Sequence, residues 1–329
     1  MDRSAHNASL SAKLGLPESS RMARMWELLL TDEEAEIADL LPGTVNEIAS
    51  RTDRGTEEVN RICHSLFQKG VAFTSSRGEE KLYRLAKNIV QLHDACLLWQ
   101  GAGEEFFQLW KLIMDEDFSG MMKGLPDSVR LPSFMRVIPV HASVDARSEV
   151  LSYEECESLI NASSQVAVVT CPCRLSQRNC DAPIETCIQL NRGAAYVVER
   201  GHGRAISREK AMAIIRQAEE AGLVHLTENR LKGNAICNCC TCCCEMFRLA
   251  KHSGKKWILA PSRFRAQVKD GCTGCGACLE VCPADAIALN GTASIQDDSC
   301  LGCGLCAIAC VSGAISLVEV RDKDFIPRS

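Results

Sequence analysis

The chain has 329 residues, 46% apolar and 24% charged, with a formal net charge of −5. That length divides into two or three domains rather than one core, and the acidic balance gives no reason to expect nucleic acid as the main partner. The abnormal number is 21 cysteines. Disulfide scaffolds of such density are small secreted chains, so in a long, helix-rich chain clustered cysteines point to thiolate ligands for iron or zinc.

Residues 1–20, "MDRSAHNASLSAKLGLPESS", lack an apolar h-region and read as a disordered lead-in, not a secretory signal. No apolar run approaches the roughly eighteen residues of a membrane span, so a cytoplasmic location is the default expectation. Residues 21–98 follow with two capping-box patterns, Thr31 before Glu34 and Thr44 before Glu47. A third helix opens at Thr56, with Glu57 and Glu58 in its first turn and Val59, Ile62, Leu66 and Phe67 at helical spacing up to Gly70. "VAFTSSRGEEKLYRL" reads as two strands joined at Arg77-Gly78. Three helices and a hairpin predict a winged-helix-like domain. Its charges favour a docking role over DNA binding, because two glutamates begin the helix that would meet phosphates, and residues 1–100 hold 12 Lys and Arg against 15 Asp and Glu. A helical connector covers 99–135, with an apolar face of Phe106, Phe107, Trp110, Ile113 and Met114.

Residues 136–250 predict a cysteine-rich α/β domain. "SQVAVVTC" is a buried strand that delivers Cys171 at its end, and Ser207 to Gly222 bounds a helix with Ala211, Ile214, Ile215 and Ala218 inward. Ten cysteines fall in two groups at the ends of the domain: Cys171, Cys173, Cys180 and Cys187, then Cys237, Cys239, Cys240, Cys242, Cys243 and Cys244. Their position outside the periodic segments suggests ligands on loops. Cys63, Cys96 and Cys156 stand alone on helical patterns and read as small buried side chains. Arg174, Glu185, His225, Asn229 and Glu245 are candidates to line a pocket, though surface or hydrogen-bonding roles explain each as well. No phosphate loop, dinucleotide fingerprint or Gly-x-Ser-x-Gly is present.

A basic linker, 251–264, precedes the tail; residues 248–269 hold seven Lys and Arg and no acid, and 270–320 hold six acids and no Lys or Arg. The contrast fits either a solvated linker or a basic hinge that pairs with the acidic tail or guides a redox partner. In the tail, Cys272-x2-Cys275-x2-Cys278-x3-Cys282-Pro283 is repeated 28 residues later as Cys300-x2-Cys303-x2-Cys306-x3-Cys310, with Val311 in place of the proline. Residues 265–320 thereby resemble the bacterial ferredoxin domain with two [4Fe–4S] clusters. The resemblance implies Cys272, Cys275, Cys278 and Cys310 for one cluster, and Cys282, Cys300, Cys303 and Cys306 for the other.

The same three-corner wrap is legible at Cys237, Cys240 and Cys243, with Cys239-x2-Cys242 as a second register. Three readings stay open for the central cysteines: an additional [4Fe–4S] cluster completed by the Cys171–Cys187 group, structural zinc, or a dithiol–disulfide site where "CCCEMFRLA" opens a helix. "CPCR…C…ETC" with "ICNCCxCCC" is also similar to a group of poorly characterised multidomain ferredoxin-like proteins of anaerobic prokaryotes. The whole predicts a mixed α+β iron–sulfur electron-transfer protein acting on a redox partner protein. An oxidoreductase with its catalytic metal in the central domain, and a cluster-based DNA-binding redox sensor, are the alternatives.

Overall fold

The computed structural model describes residues 2–328. They form two compact units: one takes the chain through Leu125 together with Pro172–Arg178, and the other takes Pro126–Cys171 and Asn179 onward.

In the first unit, α1 (Arg3–Lys13) replaces the expected lead-in disorder. Asp2 caps it, Leu10 is fully buried, and Ser11 accepts a hydrogen bond from Trp26 Nε1 at 3.1 Å. Three buried leucines, Leu10, Leu14 and Leu16, and contacts of His6, Ser9 and Lys13 with Asp39 dock a segment whose composition alone looks solvated. Helices α2 (Ser20–Leu29) and α3 (Asp32–Asp39) follow, then β1 (Gly43–Thr44), α4 (Val45–Ala49) and α5 (Thr56–Gln68). Both capping boxes form, at Thr31/Glu34 and Thr44/Glu47. Glu34 has a second use. Burial alone would raise its carboxyl, but Lys69 at 2.7 Å, Ser65 at 2.6 Å and the Thr31 N–H at 2.8 Å hold it below the usual carboxylate range. The predicted stripe of α5 is buried, and Cys63 is buried with it. Strands β2 (Ala72–Arg77) and β3 (Glu80–Leu85) make the hairpin, and β1 adds to β3 as a third strand. Helix α6 (Ile89–Cys96) then leads to α7 (Glu104–Leu112), which continues through a π-helical turn, Ile113–Phe118, into α8 (Ser119–Gly124). The predicted apolar face there is buried.

The second unit is built on a seven-stranded sheet. It uses β4 (Met135–Ile138), then α9 (Cys156–Asn161) and β5 (Val166–Val169), after which the chain lends α10 (Pro172–Gln177) to the first unit. It resumes with β6 (Cys187–Leu190), α11 (Asn191–Glu199), β7 (Arg204–Ala205), α12 (Arg208–Glu220), β8 (Val224–Glu228), β9 (Ala235–Cys239), α13 (Glu245–Ser253) and β10 (Leu259–Ala260). Spatial order is β10-β4-β8-β9-β6-β5-β7, and every pair is antiparallel except β10 with β4. Helices and strands are mixed in this unit, and its sheet is mainly antiparallel. One face packs Val166, Val168, Ile188, Leu190 and Ile236 against α9 and α12. Alternation along the strands sends Cys187, Cys237 and Cys239 to the opposite face.

The basic segment 251–264 is not a solvated linker. Its apolar "WILA" places Ile258, Leu259 and Ala260 in the core and supplies β10. The tail then runs through β11 (Phe264–Val268), α14 (Ala277–Glu280), β12 (Ile287–Asn290), β13 (Thr292–Ile295), α15 (Leu305–Ile308) and β14 (Ile315–Glu319). β11 pairs with β14 and β12 with β13, both antiparallel. Arg263 ties the tail to the sheet region. Fully buried, its guanidinium contacts Glu154 at 2.7 and 3.1 Å and Glu319 at 2.7 Å, and donates to the Glu149 and Arg321 carbonyls. With each polar proton matched, that buried charge is affordable where an unpaired one would not be.

Candidate functional site

The eight tail cysteines line two cavities, four to each. Cys272, Cys275, Cys278 and Cys310 line one, and Cys282, Cys300, Cys303 and Cys306 line the other. Each set draws three cysteines from one repeat and the fourth from the other. The short loops can wrap so tightly because of glycine. Gly274 and Gly302, 28 residues apart, have φ of 68° and 65°, and a Cβ on either would sit on a carbonyl oxygen, that of Gly291 or of Phe264. Backbone amides reach the sulfurs: Ala293 N–H donates to Cys272 at 3.4 Å and Ala286 N–H to Cys282 at 3.3 Å.

The two cavities differ in exposure. Cys275 is exposed at the first, whereas Cys303 and Cys306 at the second are buried. Val140 N–H donates to the Cys303 carbonyl at 2.9 Å, and Asp145 N–H to Leu317 at 2.8 Å, so the loop after β4 covers that side. Burial pushes the Cys303 thiol up to about 12 and raises Cys306 and Cys278 too. Cys310 goes the other way: burial opposes ionisation, but the Ser312 hydroxyl and the amides of Ala314, Ile315 and Ser312 outweigh it. Burial lowers the Arg321 guanidinium from its ordinary value, and the nearby Cys300 sulfur acts on it in the opposite sense.

In the central region, Cys180, Cys240, Cys242 and Cys243 converge so that their sulfurs all lie within 4.8 Å of one another. Cys180 stands 3.7 Å from Cys240 and 3.8 Å from Cys243, and Cys242 stands 3.8 Å from Cys243. Among the described residues this is the one His/Cys/Asp/Glu group so contracted; neither tail quartet is. The backbone explains the convergence. β9 ends at Cys239, and a single turn closed by Cys244 N–H to the Cys240 carbonyl at 3.2 Å folds Cys240, Cys242 and Cys243 together. Asn179 locks the turn to the Cys180 loop, its N–H donating to Cys243 at 3.4 Å and its side-chain amide to the Cys242 carbonyl at 2.9 Å. Burial, then neighbouring thiols, push Cys242 up to about 11, and burial raises Cys243 as well. Cys180 is lowered: the Ala182 N–H and the surrounding thiols outweigh its burial.

Residues 271–314 match the family model described as 4Fe-4S dicluster domain. The C-terminal part of the chain is an iron–sulfur, ferredoxin-like domain. No curated protein and no solved structure matches the chain, and no helix among the described residues is long and apolar enough to cross a membrane.

Other expected residues are placed less simply. Of the expected wrap, Cys240 and Cys243 belong to the contracted group and Cys237 does not. Cys237 lies inside β9, two residues before the strand ends, and stands 4.0 Å from Cys187 instead. Cys187, Cys237 and Cys239 thus sit in strands, against the expectation that these cysteines occupy loops only. Cys171 follows β5, its N–H donating to the Ile184 carbonyl at 2.8 Å, and Cys173 lies in α10 of the first unit. His225 is buried between Asn238 at 2.6 Å and Glu219 at 3.3 Å, Glu185 is exposed near Arg204, and Glu245 begins α13. Arg174 is buried in α10, and the Asn229 N–H donates to the Phe134 carbonyl at 3.4 Å. Cys63, Cys96 and Cys156 are buried singly. Sequence analysis missed Asn179, whose only signal was its place next to Cys180.

Proposed function

We propose that the chain is an electron-transfer protein holding two [4Fe–4S] clusters and one further metal. Cys272, Cys275, Cys278 and Cys310 hold one cluster, and Cys282, Cys300, Cys303 and Cys306 hold the other. The observation that carries this is the division of eight cysteines between two cavities, each completed from the opposite repeat, in a segment that matches the dicluster family. Each cluster, when bound, takes up or releases one electron. The protein sets how: amide hydrogens on sulfur and the Arg321 charge stabilise the negative thiolates, and burial of Cys303 and Cys306 excludes water from that side. The exposed Cys275 marks the edge where a redox partner protein approaches, and the acidic surroundings of 270–320 favour a basic face on that partner.

Cys180, Cys240, Cys242 and Cys243 hold a single tetrahedral ion, zinc or iron. Metal–sulfur bonds of about 2.3 Å place tetrahedral ligands about 3.8 Å apart; three pairs of these sulfurs stand at 3.7 to 3.8 Å and all lie within 4.8 Å of one another. A cubane carries its thiolates on four separate irons and spreads them further. Helices α3, α4 and α5 with the small sheet of β1, β3 and β2 support a winged-helix-like domain within the first unit, and Glu57 and Glu58 at the start of α5 favour docking over DNA. Twenty-one cysteines, most of them clustered, suit a reducing, cytoplasmic setting.

The test is metal and sulfide analysis of anaerobically purified full-length chain, with a redox titration. About eight irons in cubane form, bleaching with dithionite and recovering on addition of a one-electron acceptor, are expected. Four or fewer irons in folded protein, or a chromophore that does not cycle, would overturn the proposal.

A further inference from the structure

The central region contains a second set of converging thiols, distinct from the contracted quartet. We propose that Cys187, Cys237, Cys239 and Cys244 form a second metal centre of this region, taking a thiophilic metal through four thiolates. The register of β6 with β9 pairs Ile188 with Ile236, which sets Cys187 opposite Cys237 on the next rung, their sulfurs 4.0 Å apart. The sulfur of Cys239 lies within hydrogen-bonding reach of those of Cys237 and Cys244. Three of the four are buried, Cys187, Cys239 and Cys244.

A buried cysteine acting as a small apolar side chain sits singly among aliphatic groups, as Cys63 and Cys156 do. Here the strands turn Ile188 and Ile236 into the aliphatic core and aim the sulfurs at one another on the other face. The Gln189 side-chain amide donates to Cys187 at 3.3 Å, the kind of outer contact that orients a metal-bound sulfur. Thiols gathered this closely offer one another weak S–H donors, whereas a metal would bind all four as thiolates, with release of their protons. The chain order explains how two centres share one short segment. Cys237, Cys239 and Cys244 flank the turn that gathers Cys240, Cys242 and Cys243, so the eight-residue run divides into strand-side and turn-side ligands. This second set is more open than the contracted quartet, which suits a polynuclear iron–sulfur centre better than a single ion.

Native mass spectrometry of the anaerobically purified full-length chain decides the matter without any variant. The expected spectrum shows two metal increments beyond the two tail cubanes. The mass of each increment separates a single ion from an iron–sulfur cluster. Cys187→Ser and Cys239→Ser should each lose one increment while keeping the tail chromophore, and a Cys240→Ser/Cys242→Ser chain should lose the other increment and keep this one. One increment or none in the wild-type chain would overturn the proposal, as would both sets of substitutions removing the same centre. A Cys187–Cys237 disulfide in protein kept under reductant would also overturn it. None of these failures touches the count of two tail clusters, which the same spectrum reads separately.

Discussion

The tail and the central region both concentrate cysteines, yet they bring sulfur together by different means. In the tail, ligands spaced by two residues lie on glycine-rich loops that wrap around cavities, and the fourth corner crosses from the other repeat. In the central region the converging cysteines come from β9, its partner β6, one turn and the separate loop of Cys180, and the closest quartet lies within 4.8 Å. Loop spacing therefore identifies a cluster ligand by its neighbours along the chain. In a strand, neighbours along the chain point to opposite faces, and the partners come from across the sheet.

The largest effect that tests this contrast is removal of one ligand from each region. The tail core is built around its own cysteines: Cys278 and Cys306 are core members, and Cys272, Cys300 and Cys310 pack against them. Cluster loss is therefore coupled to folding of the tail. Cys306→Ser should lower iron from about eight to about four or fewer per chain and loosen the whole tail, read as increased hydrogen exchange in β11 and β14. Cys243→Ser should release one ion and leave the tail chromophore unchanged. If Cys243→Ser also bleaches the tail, the two regions are not independent centres.

A smaller effect sharpens the equivalence of the two repeats. Gly274→Ala and Gly302→Ala each place a methyl on a carbonyl oxygen and demand a left-handed residue. The conformation alone costs about 1–2 kcal/mol, and the overlap adds about 1–3 kcal/mol. Both variants should lower the denaturant midpoint of chromophore loss to a similar degree. Tolerance of one and not the other would mean that the two loops, though alike in spacing, differ in backbone constraint.

How much of this was legible in sequence follows from the same contrast. The 28-residue repeat made three cysteines of each set legible, because local spacing and local geometry coincide there, and the resemblance to bacterial ferredoxins implied the fourth, which crosses from the other repeat. The helix caps at Thr31, Thr44 and Ser207 were legible for the same reason: a cap is a four-residue event. The central quartet was not. Cys180 meets Cys240 and Cys243 only through tertiary structure, and Asn179, which holds the two loops together, carries no spacing signal. The alternation in "AICNC" did contain the division, since Ile236 and Asn238 oppose Cys237 and Cys239, but the cysteine-x2 pattern obscured it. Residues 1–20 misled by composition, because α1 docks through few apolar side chains.

The smallest effect uses a solitary thiol as the baseline for the clustered ones. Cys63 lies on the buried face of α5, and burial alone pushes its thiol up to about 11, against an unperturbed value of about 8.5. The unfolded chain therefore loses this proton first. Below the unfolded value the stabilisation is fully present. Above it the unfolded state binds fewer protons than the folded one, so stability falls with rising pH until the folded thiol ionises near pH 11. The loss amounts to about 3 kcal/mol across that window. Cys63→Ala should cost about 1–2 kcal/mol at neutral pH for the lost packing, yet flatten the alkaline limb of unfolding followed by tryptophan fluorescence. Lysine and tyrosine titrations affect both proteins alike, and the difference between them isolates Cys63. An unchanged limb would mean that this thiol is hydrated in solution, and that burial without a metal does not by itself hold a cysteine neutral in this chain.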